Sequence, residues 1–168
     1  MDSVYIIYFN VLFNVYLIAI SIIVQFIVYP SFNKILESFN EYHERYTKQI
    51  FWIVGPVMIL EISTSLWMLL NEVERNLIPG LIVLVIWFLT FIYIAPLHKK
   101  LSKQFTIHKH KKLLKLNFIR TMLWVLKFLV LINIIFYYCN CRNLETNWTL
   151  LFSRIYSTTW WGAIYTLM

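Results

Sequence analysis

Four long apolar runs organise the chain, at about residues 4–28, 50–70, 78–97 and 118–138. Each approaches the ~20 residues that a helix needs to cross a bilayer. Polar segments separate them, of which Asn71-Glu72-Val73-Glu74-Arg75-Asn76 is the clearest. Pro30 and Pro96 follow the ends of the first and third runs, and Pro79 sits where the opening turn of the third is expected. Pro56, one turn inside the second run after Gly55, predicts a kink there. The pattern predicts an all-α integral membrane protein, a four-helix up-and-down bundle over residues 1–138. The first run has no basic n-region and no small-residue cleavage site, so a retained helix is expected rather than a secretory signal. No periodic repeat is visible. That each half carries a Pro and a His near its loop does not by itself make a duplication.

Residues 139–168 form a tail in which Trp148, Tyr156, Trp160, Trp161 and Tyr165 surround Arg154. It is long enough for a fifth span. Its Trp, Tyr, Ser and Thr content instead predicts a segment lying in the membrane interface.

The polar residues inside the runs fall on faces. Asn10, Asn14, Ser21 and Gln25 lie within about 60° of one another on an ideal helix. Such a stripe is expected to face other helices, as interhelical hydrogen bonding or as the wall of a cavity. The second run carries Glu61 near its centre, with Thr64 and Ser65 on the same face. In the fourth, Asn117, Arg120, Thr121, Trp124 and Lys127 share an arc of roughly 120°. Arg120 lies near enough to the end of its run to snorkel to the surface, whereas Lys127 lies about 15 Å deep. Counting from the same membrane face puts Glu61 and Lys127 at equal depth, so the two are expected to pair. Pairing offsets the desolvation cost of both charges.

Composition agrees with the pattern. Hydrophobic residues make up 60% of the 168 and charged residues 14%, against roughly 45–50% and 25% in soluble domains. A soluble domain of this length has too little interior to hide that surface. Disorder, collagen and disulfide frameworks are excluded by the same numbers. The net charge of +7 is unevenly placed. Segments 30–49 and 98–117 hold ten Lys and Arg (Lys34, Arg45, Lys48, Lys99, Lys100, Lys103, Lys109, Lys111, Lys112 and Lys115), against Arg75, Arg142 and Arg154 on the other side. The positive-inside rule then predicts that both basic segments are cytoplasmic and both termini outside, as in a bacterial inner (plasma) membrane. No nucleic-acid partner is expected. The bilayer is the partner, with anionic lipid headgroups at the basic loop 98–115, around His108-Lys109-His110-Lys111-Lys112.

His43 and His98 both fall at the cytoplasmic mouth, where two His suit haem or a divalent cation. No carboxylate or third His is spaced to complete a site, and His108 and His110 stand among lysines, so no metal is expected. Cys139 and Cys141 flank Asn140 with a spacing awkward for a local disulfide. Asn147-Trp148-Thr149 matches a glycosylation acceptor, relevant only in a eukaryotic secretory context. No phosphate loop, nucleophile elbow, kinase or dinucleotide fingerprint occurs, and no cofactor is identified.

The stretches Tyr29-Pro30-Ser31-Phe32, Tyr42-His43-Glu44-Arg45-Tyr46 and Gly55-Pro56-Val57-Met58-Ile59-Leu60-Glu61 resemble small bacterial four-span membrane proteins. So do Ala95-Pro96-Leu97-His98-Lys99-Lys100-Leu101 and Leu116-Asn117-Phe118-Ile119-Arg120-Thr121-Met122-Leu123-Trp124. These proteins are distantly similar to the anthrone oxygenase-like membrane family. The resemblance covers about residues 20–130 and implies a four-helix bundle. It also implies that His43, Glu61, His98, Asn117, Arg120 and Trp124 are the site positions. Lys127 stands where that pattern leads one to expect Arg.

The function expected from these features is binding of a lipid, quinone or other small amphiphile, its polar end near Glu61, Trp124 and Lys127. A membrane oxidoreductase or oxygenase using the same cavity is the alternative, with Glu61 as proton donor or acceptor and His43 and His98 near the substrate. A subunit of a larger membrane complex, or a homo-oligomer, comes third. A proton or ion path through Asn10, Asn14, Gln25 and Glu61 ranks below these.

Overall fold

The computed structural model describes residues 3–32 and 39–164, with side chains over 5–32 and 39–137. Lys34 lies outside the described residues, as do the side chains of Cys139, Cys141, Asn147, Arg154 and the aromatic residues of the tail. The architecture is an all-α four-helix bundle, with four helices long and apolar enough to cross a membrane. Helix α1 combines an α-helical stretch Ser3–Ile23, a π-helical stretch Val24–Val28 and a last turn Tyr29–Ser31. Helix α2 is Phe39–Asn71. Helix α3 combines Val73–Phe88, a π-helical stretch Leu89–Ile94 and Ala95–Lys103. Helix α4 is Ile107–Ile164. Residues 1–132 of this chain form one compact unit; 133–168 form a second, whose backbone is helical to Ile164.

The helices outrun the apolar runs at the basic end. What the sequence presents as loops 30–49 and 98–117 is largely helix, because α2 begins at Phe39 and only Gln104–Thr106 separate α3 from α4. Pro79 is likewise not in an opening turn. α3 starts at Val73, capped by Glu72, whose carboxylate pairs with Arg75 at 3.3 Å and extends the helix outward by a charged turn. α2 remains one helix through Pro56.

Polarity is inverted relative to a water-soluble bundle. Asn10, Asn14, Ser21, His43, Glu61, Asn117, Thr121 and Lys127 are buried, while Leu12, Phe26, Ile27, Trp52, Leu70, Leu84 and Phe136 stand exposed. A polar centre under an apolar coat is stable only where the surroundings are also apolar. Between the polar levels lie two apolar layers. One is Leu17, Met58, Ile82, Ile86 and Trp124, with at least one residue from each helix. The other, toward the basic end, is Val24, Tyr29, Phe32, Phe39, Ile94, Leu97, Leu101 and Leu113.

The two halves of the bundle share a register that residue identity conceals. Asn10 and Asn76, Leu17 and Val83, Met58 and Trp124, and Glu61 and Lys127 are buried pairs lying 66 positions apart. The π-helical turns obey the same spacing. The Tyr29 N–H bonds Val24 C=O just before Pro30, and the Ala95 N–H bonds Thr90 C=O just before Pro96. A proline ring collides with the carbonyl one turn back in an α-helix. A widened turn makes room for it, which explains why both π stretches end at a proline. The domain is therefore two helical hairpins, α1–α2 and α3–α4, laid out alike.

A π turn holds one residue more than the α turn it replaces, so removing that residue should leave the flanking faces in register. Deleting exposed Ile92 together with Pro96→Ala is expected to fold. Deleting Ile92 alone should cost about 3 kcal/mol, because the Pro96 ring then meets a regular α turn. Deleting Leu84, inside regular helix, should prevent folding. Thermal melts in detergent check the order; equal loss in all three would refute this account of the π turn.

Candidate functional site in the bundle interior

Apart from Asn76, which bonds the Met68 carbonyl at the α2–α3 connection, the buried polar side chains of unit one lie on three levels. The first is centred on the ion pair between Lys127 of α4 and Glu61 of α2, both side chains fully buried. Lys127 also donates to Asn10 Oδ1 at 2.9 Å and Ser65 Oγ at 3.0 Å. Three acceptors thus meet the three N–H groups of the ammonium. Ser65 in turn donates to Glu61 Oε1 at 3.1 Å. The Asn10 amide approaches Thr64 Oγ1 at 2.7 Å, Ser65 Oγ at 2.9 Å and the Glu61 carbonyl at 3.1 Å. The Trp124 ring lies 5.9 Å from Lys127 Nζ, at the edge of cation–π range. Among the described residues, the Asn14 side chain, one turn from Asn10, has no hydrogen-bond partner, and neither has Glu61 Oε2.

The second level joins α1 to α4. Asn117 donates to Gln25 Oε1 at 2.7 Å and lies 3.4 Å from the Ser21 carbonyl. Arg120 Nη2 donates to Asn117 Oδ1 at 2.7 Å. This side chain does not snorkel outward. It is half-buried, with its Nε buried and its Nη2 turned to buried Asn117, and it lies within electrostatic reach of Tyr29, Tyr46 and His98. It makes no salt bridge among the described residues, and its buried Nε has no hydrogen-bond partner. A guanidinium with five N–H donors, of which one donated bond is accounted for and the buried Nε is unmatched among the described residues, has capacity to spare.

The third level is a chain of rings. Tyr29 Oη lies 3.1 Å from His98 Nε2, His98 Nδ1 lies 3.1 Å from His43 Nε2, and His43 Nδ1 lies 2.6 Å from Ser102 Oγ. Ser102 donates to the His98 carbonyl at 3.1 Å, so its oxygen accepts from His43. That assigns every proton: His43 and His98 both carry theirs on Nδ1, and Tyr29 donates to His98 Nε2. The rings of His43 and His98 stack with centroids 5.2 Å apart. Phe32 touches His43 edge-on at 5.3 Å. His110 is also drawn in, bonding the Tyr29 carbonyl at 2.9 Å.

The expected site residues thus separate into groups. Glu61 and Lys127 meet, as do His43 and His98, and Arg120 meets Asn117 and Gln25. The levels themselves stay apart: Glu61 is 18 residues along α2 from His43, about 27 Å. His110 is a correction. Expected on the lysine-rich surface, it is buried, because it shares an inward face with Leu113 and Asn117 at positions three and seven along α4. That spacing was the available signal. Ser102 follows His98 by four residues, also one helical face. Tyr29 and Tyr46 carried no signal beyond their place at a helix end. Among the described residues no group of three or more His, Cys, Asp or Glu is placed to hold a metal.

Compared with known proteins, the chain matches no protein-family model, no curated protein and no solved structure.

The ion pair yields a symmetry test, because its partners occupy equivalent positions of the two hairpins. Glu61→Lys or Lys127→Glu alone buries two like charges and should cost at least the 3–5 kcal/mol of a broken buried pair. The double exchange is expected to recover more than half of that loss. A double variant no more stable than either single, in thermal melts, would show that the two positions are not interchangeable.

Proposed function

We propose that the protein sits in a bacterial inner membrane, basic segments cytoplasmic and termini outside, and binds a small amphiphile such as a lipid or quinone. Its polar end lies at the cytoplasmic third of the bundle, beside Arg120, Asn117 and Gln25. The observation that carries this reading is the inward Arg120 with no carboxylate partner among the described residues. Glu61 and Lys127 satisfy one another with Asn10 and Ser65, so they serve better as the lock of the bundle than as ligand donors. A fork of unused N–H groups matches an acceptor with two oxygens, and charge-assisted bonds of that kind are the strong ones. The exposed lysines Lys99, Lys100, Lys103, Lys111, Lys112 and Lys115 suit anionic headgroups at the adjoining surface.

Native mass spectrometry of gently purified protein tests the reading. A discrete amphiphile should accompany the wild type, and Arg120→Gln should lower its occupancy about tenfold or more, the loss of one charge-assisted contact. Arg120→Lys should keep part of it. Equal occupancy in Arg120→Gln would overturn the placement.

A membrane oxidoreductase, the activity implied by resemblance to anthrone oxygenase-like proteins, is the second reading. The continuous Tyr29–His98–His43 contact favours it, because it offers a route for protons next to the same site. A chromophore or stoichiometric metal in the purified protein would carry it.

A further inference from the structure

The hydrogen bonds at the basic end have one direction. Donation runs from Tyr29 to His98, from His98 to His43 and from His43 to Ser102 without reversal. Tyr29 begins the chain in the interior, within electrostatic reach of Arg120. Ser102 ends it half-buried, among exposed Lys99, Lys100 and Lys103. Arg120 and His110 face it from α4, Tyr46 from α2, and no carboxylate among the described residues pairs with any of them. Among the described residues, the net charge that acts on the inner end is the guanidinium of Arg120.

We propose that Tyr29, His98, His43 and Ser102 form a proton-exit chain, and that the molecule bound at Arg120 is a weak-acid amphiphile, a long-chain carboxylic acid. This inference rests on the amphiphile-binding reading and names its ligand class. A carboxylic acid enters apolar surroundings neutral, since a bare charge is costly there. Beside Arg120 the ionised form is favoured. The acid's O–H bond breaks and its proton joins Tyr29 Oη as the phenol proton passes to His98 Nε2. The His98 Nδ1 proton passes to His43 Nε2, and the His43 Nδ1 proton leaves at Ser102 to water. One proton leaves the acid and one reaches water, with no change of oxidation state. The carboxylate remains on the guanidinium. The chain is then polarised the opposite way, and a proton returning inward, on release of the neutral acid, restores it. Each cycle of binding and release therefore needs the whole chain.

The experiment uses full-length protein in phosphatidylcholine nanodiscs, with oleic acid and permanently ionised dodecylsulfonate as probes. Occupancy is read by native mass spectrometry, and proton release by stopped flow with a pH indicator, against Arg120→Gln nanodiscs as background. Wild type should bind both probes and release about one proton per bound oleic acid, and none with dodecylsulfonate. His98→Phe and His43→Phe should bind dodecylsulfonate as wild type does, yet release the oleic-acid proton at least tenfold more slowly. If His98→Phe loses dodecylsulfonate binding through misfolding, His43→Phe decides, since its ring is one bond further from the ligand. Wild-type rates in His43→Phe, or oleic acid bound without proton release, would overturn the proton chain and leave the amphiphile site standing. Binding of neither probe by wild type would remove both.

Discussion

A buried charge pair governs this bundle. Lys127 and Glu61 cannot face lipid, and either alone inside the bundle would be an uncompensated ion, so α2 and α4 must meet at one depth and one rotation. Asn10 then has a single place to lie, because its amide must reach Lys127 with its oxygen and Thr64 and Ser65 with its nitrogen. Three of the four helices are thereby set in register by one cluster. The fourth follows through the apolar layer, where Ile82 and Ile86 of α3 pack with Trp124 and Met58. Helix association in lipid gains little from apolar contact alone. Polar registration therefore supplies the specificity that a hydrophobic core supplies in water.

That arrangement explains where chemistry has room to occur. At the Glu61–Lys127 level nearly every donor is used. Toward the basic end the groups belong to a different class: a guanidinium with no counter-ion among the described residues, and a file of imidazoles. Two helical turns of α4, about 10 Å, separate Arg120 from Lys127, and about 27 Å of α2 separates His43 from Glu61, so substitutions can address the lock and the candidate site one at a time. Variants that damage folding belong to one level, and variants that damage binding to the other.

Much of this was legible in the chain. The depth of Glu61 and Lys127 follows from counting residues inward from one membrane face, which works because every helix rises by the same increment. The inward faces of α1 and α4 follow from angular position, and the described residues place Asn10, Asn14, Ser21, Asn117, Thr121, Trp124 and Lys127 there, all buried. What escaped was of two kinds. Arg120 is close enough to the surface to turn either way, and only the neighbouring Tyr29, Tyr46 and Asn117 decide it. His110 was hidden by its lysine neighbours, although its helical spacing to Leu113 and Asn117 pointed inward. The shared register of the two hairpins was invisible for a third reason. A membrane helix constrains size and polarity at a position more than identity, so Met58 answers to Trp124, and Glu61 to a residue of opposite charge.

Residue 72 alone separates α2 from α3, with Glu72 at φ −143° and ψ 77° breaking the helix. Were that residue helical, α2 and α3 would run on as one rod of about 97 Å, roughly three times the ~30 Å hydrocarbon core of a bilayer, and the apolar coat of one hairpin would be left in water. One extended residue between the hairpins thus lets both lie at a single depth and lets Glu61 meet Lys127 within one molecule.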